Sequence, residues 1–259
     1  MLAVERKNRI LAILQNDKRV VVSELSKQFD VSEETIRRDL EKLEKEGLVI
    51  KSYGGAVLNE NTQSDMPLAV RKRTNVIGKQ KIAEIAASLI KDNTSIMLDG
   101  SSTSLFIAKR IKDRKNMTLI TNSLEILIEM KDMRNWRIFS TGGLLSDETI
   151  ALVGNHADRT ISYFHVNTAI VSCKGFEINK GFTDSNDMHA FTKHTMLQNC
   201  DRRILAVDSS KFNRIAFNVV GGLSDIDTII TDVKPPESWL EKFRQSGTEC
   251  LYPEGEYEN

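Results

Sequence analysis

Apolar positions recur along this chain with two different periods, and the change from one to the other divides it. From Glu5 to Leu14 the apolar residues Ile10, Leu11, Ile13 and Leu14 follow helical spacing. The β-branched run Val20-Val21-Val22 predicts a short strand, after which Ser23 is placed to cap a short helix carrying Leu25 and Phe29. A turn through Asp30-Val31 leads to Ser32, the expected cap of the next helix. Glu33 and Glu34 fall in its first turn, where the helix dipole favours negative charge. Ile36, Leu40 and Leu43 give that helix one apolar stripe, and Gly47 is placed to end it. Two apolar runs, Leu48-Val49-Ile50-Lys51 and Ala56-Val57-Leu58, flank Ser52-Tyr53-Gly54-Gly55 and predict a β-hairpin. Helix, strand, two helices across a tight turn and a hairpin form the order of a winged helix-turn-helix, assigned to residues 1–58.

Residues 59–77 are mostly polar, contain Pro67 and are expected to be a linker. In residues 78–259 the period shortens. Apolar or β-branched runs at 94–98, 117–120, 136–140, 166–171, 203–207, 227–231 and 248–252 predict strands, and helical patterns at 79–91, 104–113, 123–132 and 188–199 separate most of them. That alternation predicts a mostly parallel sheet, so the fold class is α/β with a winged unit in front.

Composition changes this picture little. No run approaches the ~20 apolar residues of a membrane span, and the first residues mix charge into their apolar positions, so a cytoplasmic protein is expected. Cys173, Cys200 and Cys250 lie far apart, and His156, His165, His189 and His194 have no ligand spacing, so neither a metal nor another cofactor is expected. Formal net charge is zero, which by itself does not announce a nucleic-acid binder. Residues 1–58 carry eleven basic and ten acidic side chains, and Arg71-Lys72-Arg73 adds a basic stretch after them.

Arrangement says more than charge. Ser32, Glu33, Thr35, Arg37 and Arg38 lie near the start of the second helix and off its apolar stripe, where a recognition helix contacts base edges. Arginine can donate two parallel bonds to guanine, and Lys51 and Tyr53 on the hairpin are placed to reach backbone or minor groove. The competing reading is a solvated face on which Arg37 and Arg38 pair with Glu33, Glu34 and Glu41. Residues 5–58 closely resemble the N-terminal domain of DeoR-type bacterial regulators, above all in VSEETIRRDLEKLEKEG and the following YGGA. The resemblance implies operator binding by a homodimer or homotetramer, usually as a repressor of carbohydrate-metabolism genes.

A second set of residues follows the strands. Asp99-Gly100-Ser101-Ser102-Thr103-Ser104 joins a strand end to a helix start, and such a loop offers amides and hydroxyls to an anion. Thr121-Asn122-Ser123 and Thr141-Gly142-Gly143 follow the next two strands in equivalent places. The alternative for each loop is an ordinary helix start capped by Ser102, Thr103 or Ser123.

Residues 78–252 resemble the DeoR sensor domain, itself similar in fold to ribose-5-phosphate isomerases and CoA transferases. The matching pieces are LDGSSTS, LITNS, TGG, GFTDSNDMHAFTKHTML and AVDSSKF. This implies a sugar-phosphate effector, with Lys193 facing its phosphate and Lys211 as a second candidate cation. Ser101 stands where the family usually has glycine, His189 where it has glutamate, and His194 where arginine or lysine is common. Two other functions stay open: a phosphosugar isomerase using Asp99, Asp208 and Lys193, and a sensor that binds another protein.

Overall fold

Aliphatic stripes on the first helices close around one small core, and the later strands form a sheet with a hydrophobic cluster on each face. The structure is a computed structural model that describes residues 2–45, 48–58 and 68–253. It separates into two units, residues 1–75 and 76–259.

The first unit runs α1 (Ala3–Asp17), β1 (Arg19–Val21), α2 (Val22–Phe29), α3 (Glu33–Lys45), β2 (Val49–Ser52), β3 (Gly55–Leu58) and α4 (Leu68–Arg71). The strands form an antiparallel sheet in the order β1-β3-β2. Ile10, Leu14, Leu25, Ile36, Leu40, Leu43 and Leu48 build the core. Val70 joins it, so part of the stretch expected to be linker packs with the winged unit. Gly47 and residues 59–67 lie outside the described residues.

Ser32 caps α3 as the sequence predicts, accepting from the Thr35 amide at 3.3 Å. Ser23 does not cap α2. Strand β1 runs straight into the helix, Val21 is the N-cap residue, and the Val22 amide donates to the Gly54 carbonyl of the hairpin at 2.8 Å. The wing carbonyl thereby satisfies the first of the open amides at the start of α2.

The second unit contains α5 (Val76–Leu89), β4 (Ser95–Leu98), α6 (Ser102–Arg110), β5 (Thr118–Thr121), α7 (Leu124–Met130) and β6 (Arg137–Ser140). It continues with β7 (Leu144–Ser146), β8 (Ala151–Val153), α8 (Asn155–Ser162), β9 (Val166–Val171), β10 (Gly175–Glu177) and β11 (Gly181–Asp184). It ends with α9 (Asp187–Gln198), β12 (Cys200–Ala206), β13 (Asn218–Gly221), β14 (Thr228–Ile230), α10 (Glu237–Ser246) and β15 (Glu249–Leu251).

Seven strands form one parallel sheet in the order β15-β14-β12-β9-β4-β5-β6, and they are the seven apolar runs of the sequence. A hydrophobic cluster covers each face, as expected for strands buried on both sides. Hairpin β7–β8 and the small antiparallel sheet β10-β11-β13 stand apart from it. From β4 the chain steps outward through β5 to β6, then returns to place β9 on the other side of β4. The sheet therefore has its switch point between β4 and β9, where open α/β sheets bind ligands beyond their strand ends. No helix among the described residues is long and apolar enough to cross a membrane.

Candidate nucleic-acid interface and candidate anion site

Helix α3 buries Ile36, Leu40 and Leu43 and leaves Arg37 and Arg38 exposed, with 52% and 72% of their side chains accessible. Arg37 donates to Glu33 at 2.6 Å and Arg38 to Glu34 at 3.3 Å, each pair one helical turn apart. Exposed pairs of this spacing are worth about 0.3–0.5 kcal/mol. A bidentate arginine–guanine contact is worth about 1–3 kcal/mol, so the pairs do not prevent base reading. Glu41 pairs elsewhere: it lies 3.4 Å from the Lys51 ammonium, while the Lys51 amide donates to Glu44 at 3.1 Å. These contacts tie the hairpin to α3 and leave Tyr53 fully exposed at its tip. Ser32 and Thr35 hydroxyls lie 2.9 Å apart at the helix start.

One residue pair escaped sequence reasoning. Arg6 on α1 donates to Asp39 on α3 at 2.5 Å, and both side chains are buried. Asp39 sits at the i+3 place of the Ile36/Leu40/Leu43 stripe, so spacing marks it as internal, but a charged side chain there points to no partner without the fold.

In the second unit, parallel strands bring the loops after β4, β5, β6, β9 and β12 to one edge of the sheet. Asp99 is the node of the first loop. One of its oxygens accepts from the Ser101 amide at 3.2 Å, the Ser101 hydroxyl at 2.6 Å and the Ser104 hydroxyl at 2.5 Å. The other accepts from the Ser172 amide at 3.1 Å, across the switch point, and lies 3.4 Å from Lys193. Ser101 is the cap of α6, accepting from the Ser104 amide at 3.0 Å, a role the sequence offered to Ser102 and Thr103. Its φ of −81° is ordinary extended backbone, so this position needs no glycine. Gly100 does need to be small, because a Cβ there would lie 2.6 Å from that of Ala151.

With Ser101 acting as the cap, the backbone amides and hydroxyls of Ser102 and Thr103 have no hydrogen-bond partner among the described residues. Helix starts leave such amides open, and their partial positive charge favours an anion.

The second and third loops are more committed. Thr121 donates to the Leu98 carbonyl at 2.7 Å, and Ser123 caps α7 by accepting from the Ile126 amide at 3.3 Å. Asn122 clasps hairpin β7–β8 through Leu152, accepting from its amide at 2.7 Å and donating to its carbonyl at 2.9 Å. The buried Oδ1 of Asn122 has no partner. Gly142 and Gly143 take φ of +64° and +121° to turn the chain into the hairpin, and a Cβ on Gly143 would meet the Val153 carbonyl oxygen at 2.7 Å.

Lys193 is buried on α9 between two carboxylates, bonded to Asp184 and 3.4 Å from Asp99. Burial alone would lower its pKa, but Asp184 and Asp99 outweigh that and hold it above the usual lysine value. Burial likewise opposes ionisation of Asp184, and Lys193 reverses the balance and holds the carboxyl below its usual value. Lys211 lies on a short 3-10 turn after β12, half-buried, where Asp208 caps the turn by accepting from the Ser210 amide at 3.1 Å. Burial pushes the Cys173 thiol up to about 12, and the charges of Lys193, Asp184, Lys211 and Asp208 all reach it. Both candidate cations therefore lie around the end of β9.

The two histidines that depart from the expected pattern take separate partners. His189 reaches Ser146 at 3.1 Å and Thr149 at 3.2 Å, linking α9 to the β7–β8 hairpin, while His194 lies 3.1 Å from the Val220 carbonyl oxygen.

Residues 6–62 match the family model described as DeoR-like helix-turn-helix domain, and residues 74–233 match that described as DeoR C terminal sensor domain. The chain is 41% identical over 232 residues to YulB, an uncharacterized HTH-type transcriptional regulator of Bacillus subtilis, covering 90% of each chain. It is 34% identical to the L-fucose operon activator of Haemophilus influenzae, over 92% of this chain and 95% of that one. Among solved structures it is similar to ribose 5-phosphate isomerase A of Methanocaldococcus jannaschii, at 17% identity and a TM-score of 0.40, covering 54% of this chain and 55% of that one.

Proposed function

The chain belongs to the DeoR family of DNA-binding transcriptional regulators, and on that premise we propose that it represses a carbohydrate-metabolism operon and is released by a small phosphorylated sugar. One relative of similar length is named for the L-fucose operon, which supports a sugar-related target. Two winged units of a homodimer or homotetramer would read half-sites about 34 Å apart, or a multiple of that, in the cytoplasm where the DNA lies. Residues 1–58 would serve as the reading head and residues 78–259 as the sensor, with the segment between them transmitting the change.

In this reading Arg37 and Arg38 contact bases, Ser32, Glu33 and Thr35 lie at the groove, and Lys51 and Tyr53 reach the backbone. Replacing both arginines with alanine is expected to weaken operator binding roughly 30-fold or more, from about 1–3 kcal/mol for each bidentate contact. Footprinting on the DNA upstream of the chain's own gene, followed by titration of the protected fragment, measures this. Unchanged affinity in a folded double variant would overturn the assignment. A reporter driven from the same fragment gives the sign: expression should rise when the regulator is deleted, and a fall would remove the repressor half of the proposal.

The sensor half rests on the start of α6, where Ser102 and Thr103 present uncommitted amides and hydroxyls beside the switch point. A phosphate there would be held by those groups, with Lys211 supplying charge and Asn122 Oδ1 accepting from a sugar hydroxyl. Asp99, Ser101, Thr121, Ser123, Gly142 and Gly143 would shape the loops, and Lys193 would fix Asp99 in place. Ribose and hexose phosphates are expected to raise the melting temperature; at a hundred times Kd a ligand adds about 2.7 kcal/mol. Ser102→Ala with Thr103→Val should remove most of that shift, and a retained shift would move the ligand elsewhere. Relatives matched over about nine-tenths of both chains are named as regulators of transcription or as an operon activator, which supports a non-enzymic role. Measurable turnover of pentose or hexose phosphates would overturn it.

A further inference from the structure

The small sheet β10-β11-β13 sends Phe176, Phe182 and Val220 into a core and leaves apolar side chains in solvent beside them. Exposure alternates along the chain that leads into β13. Ile215, Phe217 and Val219 are 62%, 91% and 67% exposed, and the residues between them are half-buried. The Ala216 amide donates to the Thr183 hydroxyl at 2.8 Å, which holds this stretch against β11 and turns its apolar neighbours outward. Phe191 joins them from α9. A register shift leaves Val220 without a strand partner, and His194 lies 3.1 Å from its carbonyl oxygen, which fixes α9 beside β13. Asp184, three positions before α9 begins, pairs with Asn218. Phe191 falls between these two anchors, one turn before His194, and is 59% exposed. Residues 215–224 carry no charged side chain, in a chain that is 28% charged.

We propose that the surface made by Phe191, Ile215, Phe217 and Val219 packs against the same surface of a second copy of this chain. The inference rests on the reading of the protein as a two-fold DNA reader. A two-fold contact uses one patch on both copies, so the patch must tolerate meeting itself. An uncharged surface does so without setting like charges face to face, and depletion of charge marks the centre of protein interfaces. Two phenylalanines and two branched aliphatics offer on the order of 500 Å² of apolar surface in each copy. That suits the centre of an interface that takes about 800 Å² from each partner. The position on α9 also favours a second copy over an unrelated protein. Lys193, two positions after Phe191, points the opposite way into the Asp99–Asp184 cluster. One helix thus carries both a wall of the candidate anion site and the contact through which two reading heads would be spaced.

Sedimentation velocity of the full-length chain over a concentration series tests this. Phe217→Asp enters a two-fold contact twice and is expected to raise the dissociation constant about a hundredfold, removing one step of association. Val219→Lys is the second variant, which serves should Phe217→Asp fail to fold. Ile128→Asp, at an equally exposed apolar position on α7, should associate as the wild type does. Folded Phe217→Asp and Val219→Lys variants that associate like the wild type would overturn the proposal. So would equal dissociation of Ile128→Asp, which would make any added charge the cause. Unchanged size with a lowered melting temperature would place another part of the same chain on this surface and overturn it as well. A wild type that stays monomeric at every concentration would instead overturn the two-fold reading on which the inference rests.

Discussion

Lys193→Met is expected to destabilise the sensor unit by about 3–5 kcal/mol, because it leaves Asp99 and Asp184 buried together without their cation. The loss should depend on pH in a definite direction. Asp184 is held below its ordinary value of 3.8, so in the wild type it contributes stability above that value and loses it as pH falls through the folded value. Lys193 is held above 10.5, so its contribution is complete below that pH and lost as pH rises through the folded value. Between these limits the Asp184–Lys193 pair is fully charged and contributes most. Without the lysine, burial pushes the Asp184 carboxyl up, and acid then relieves the variant by protonating it. Urea unfolding of variant and wild type should show the largest gap near neutral pH and a smaller gap towards pH 4. A gap that stays constant, or is under about 1 kcal/mol at neutral pH, would show that Lys193 does not neutralise this cluster.

The winged unit has a comparable point of failure. Asp39→Ala should cost about 3–5 kcal/mol by leaving the Arg6 guanidinium buried and unpaired. That approaches the whole stability of a unit this size, which is about 4–11 kcal/mol for some 75 residues. Operator binding should fall with it, although Asp39 faces the core and not the groove. Hydrogen exchange provides the local readout, as the amides of α3 should lose protection. The paired replacement Arg6→Met with Asp39→Leu should recover most of the loss, since apolar residues of similar volume often equal a buried ion pair. Failure of that rescue, with protection still lost, would mean the pair does more than neutralise itself.

Ser101 shows how a departure from a family pattern can mislead. Serine at an expected glycine looks like an obstacle to a bound phosphate. In the structure its backbone is ordinary and its side chain folds back as the helix cap, so the change frees Ser102 and Thr103 instead of blocking them. The close approach lies one residue earlier, at Gly100 under Ala151. Sequence could not separate the two, since Ala151 comes from a hairpin about fifty positions further on.

The sequence by itself determined the order of the winged unit, the cap at Ser32, the seven strands and the parallel character of their sheet. Those features depend on periodicity and on groups three or four residues apart, which a single chain displays directly. Tertiary structure alone decided that Arg6 meets Asp39, that Lys193 is enclosed by Asp99 and Asp184, that His189 grips the β7–β8 hairpin, and that Asn122 clasps it from below. The partners in these contacts lie between 9 and 94 positions apart along the chain. A buried charge or amide takes whatever partner the packed core brings to it, and only the packing of the core reveals which one that is.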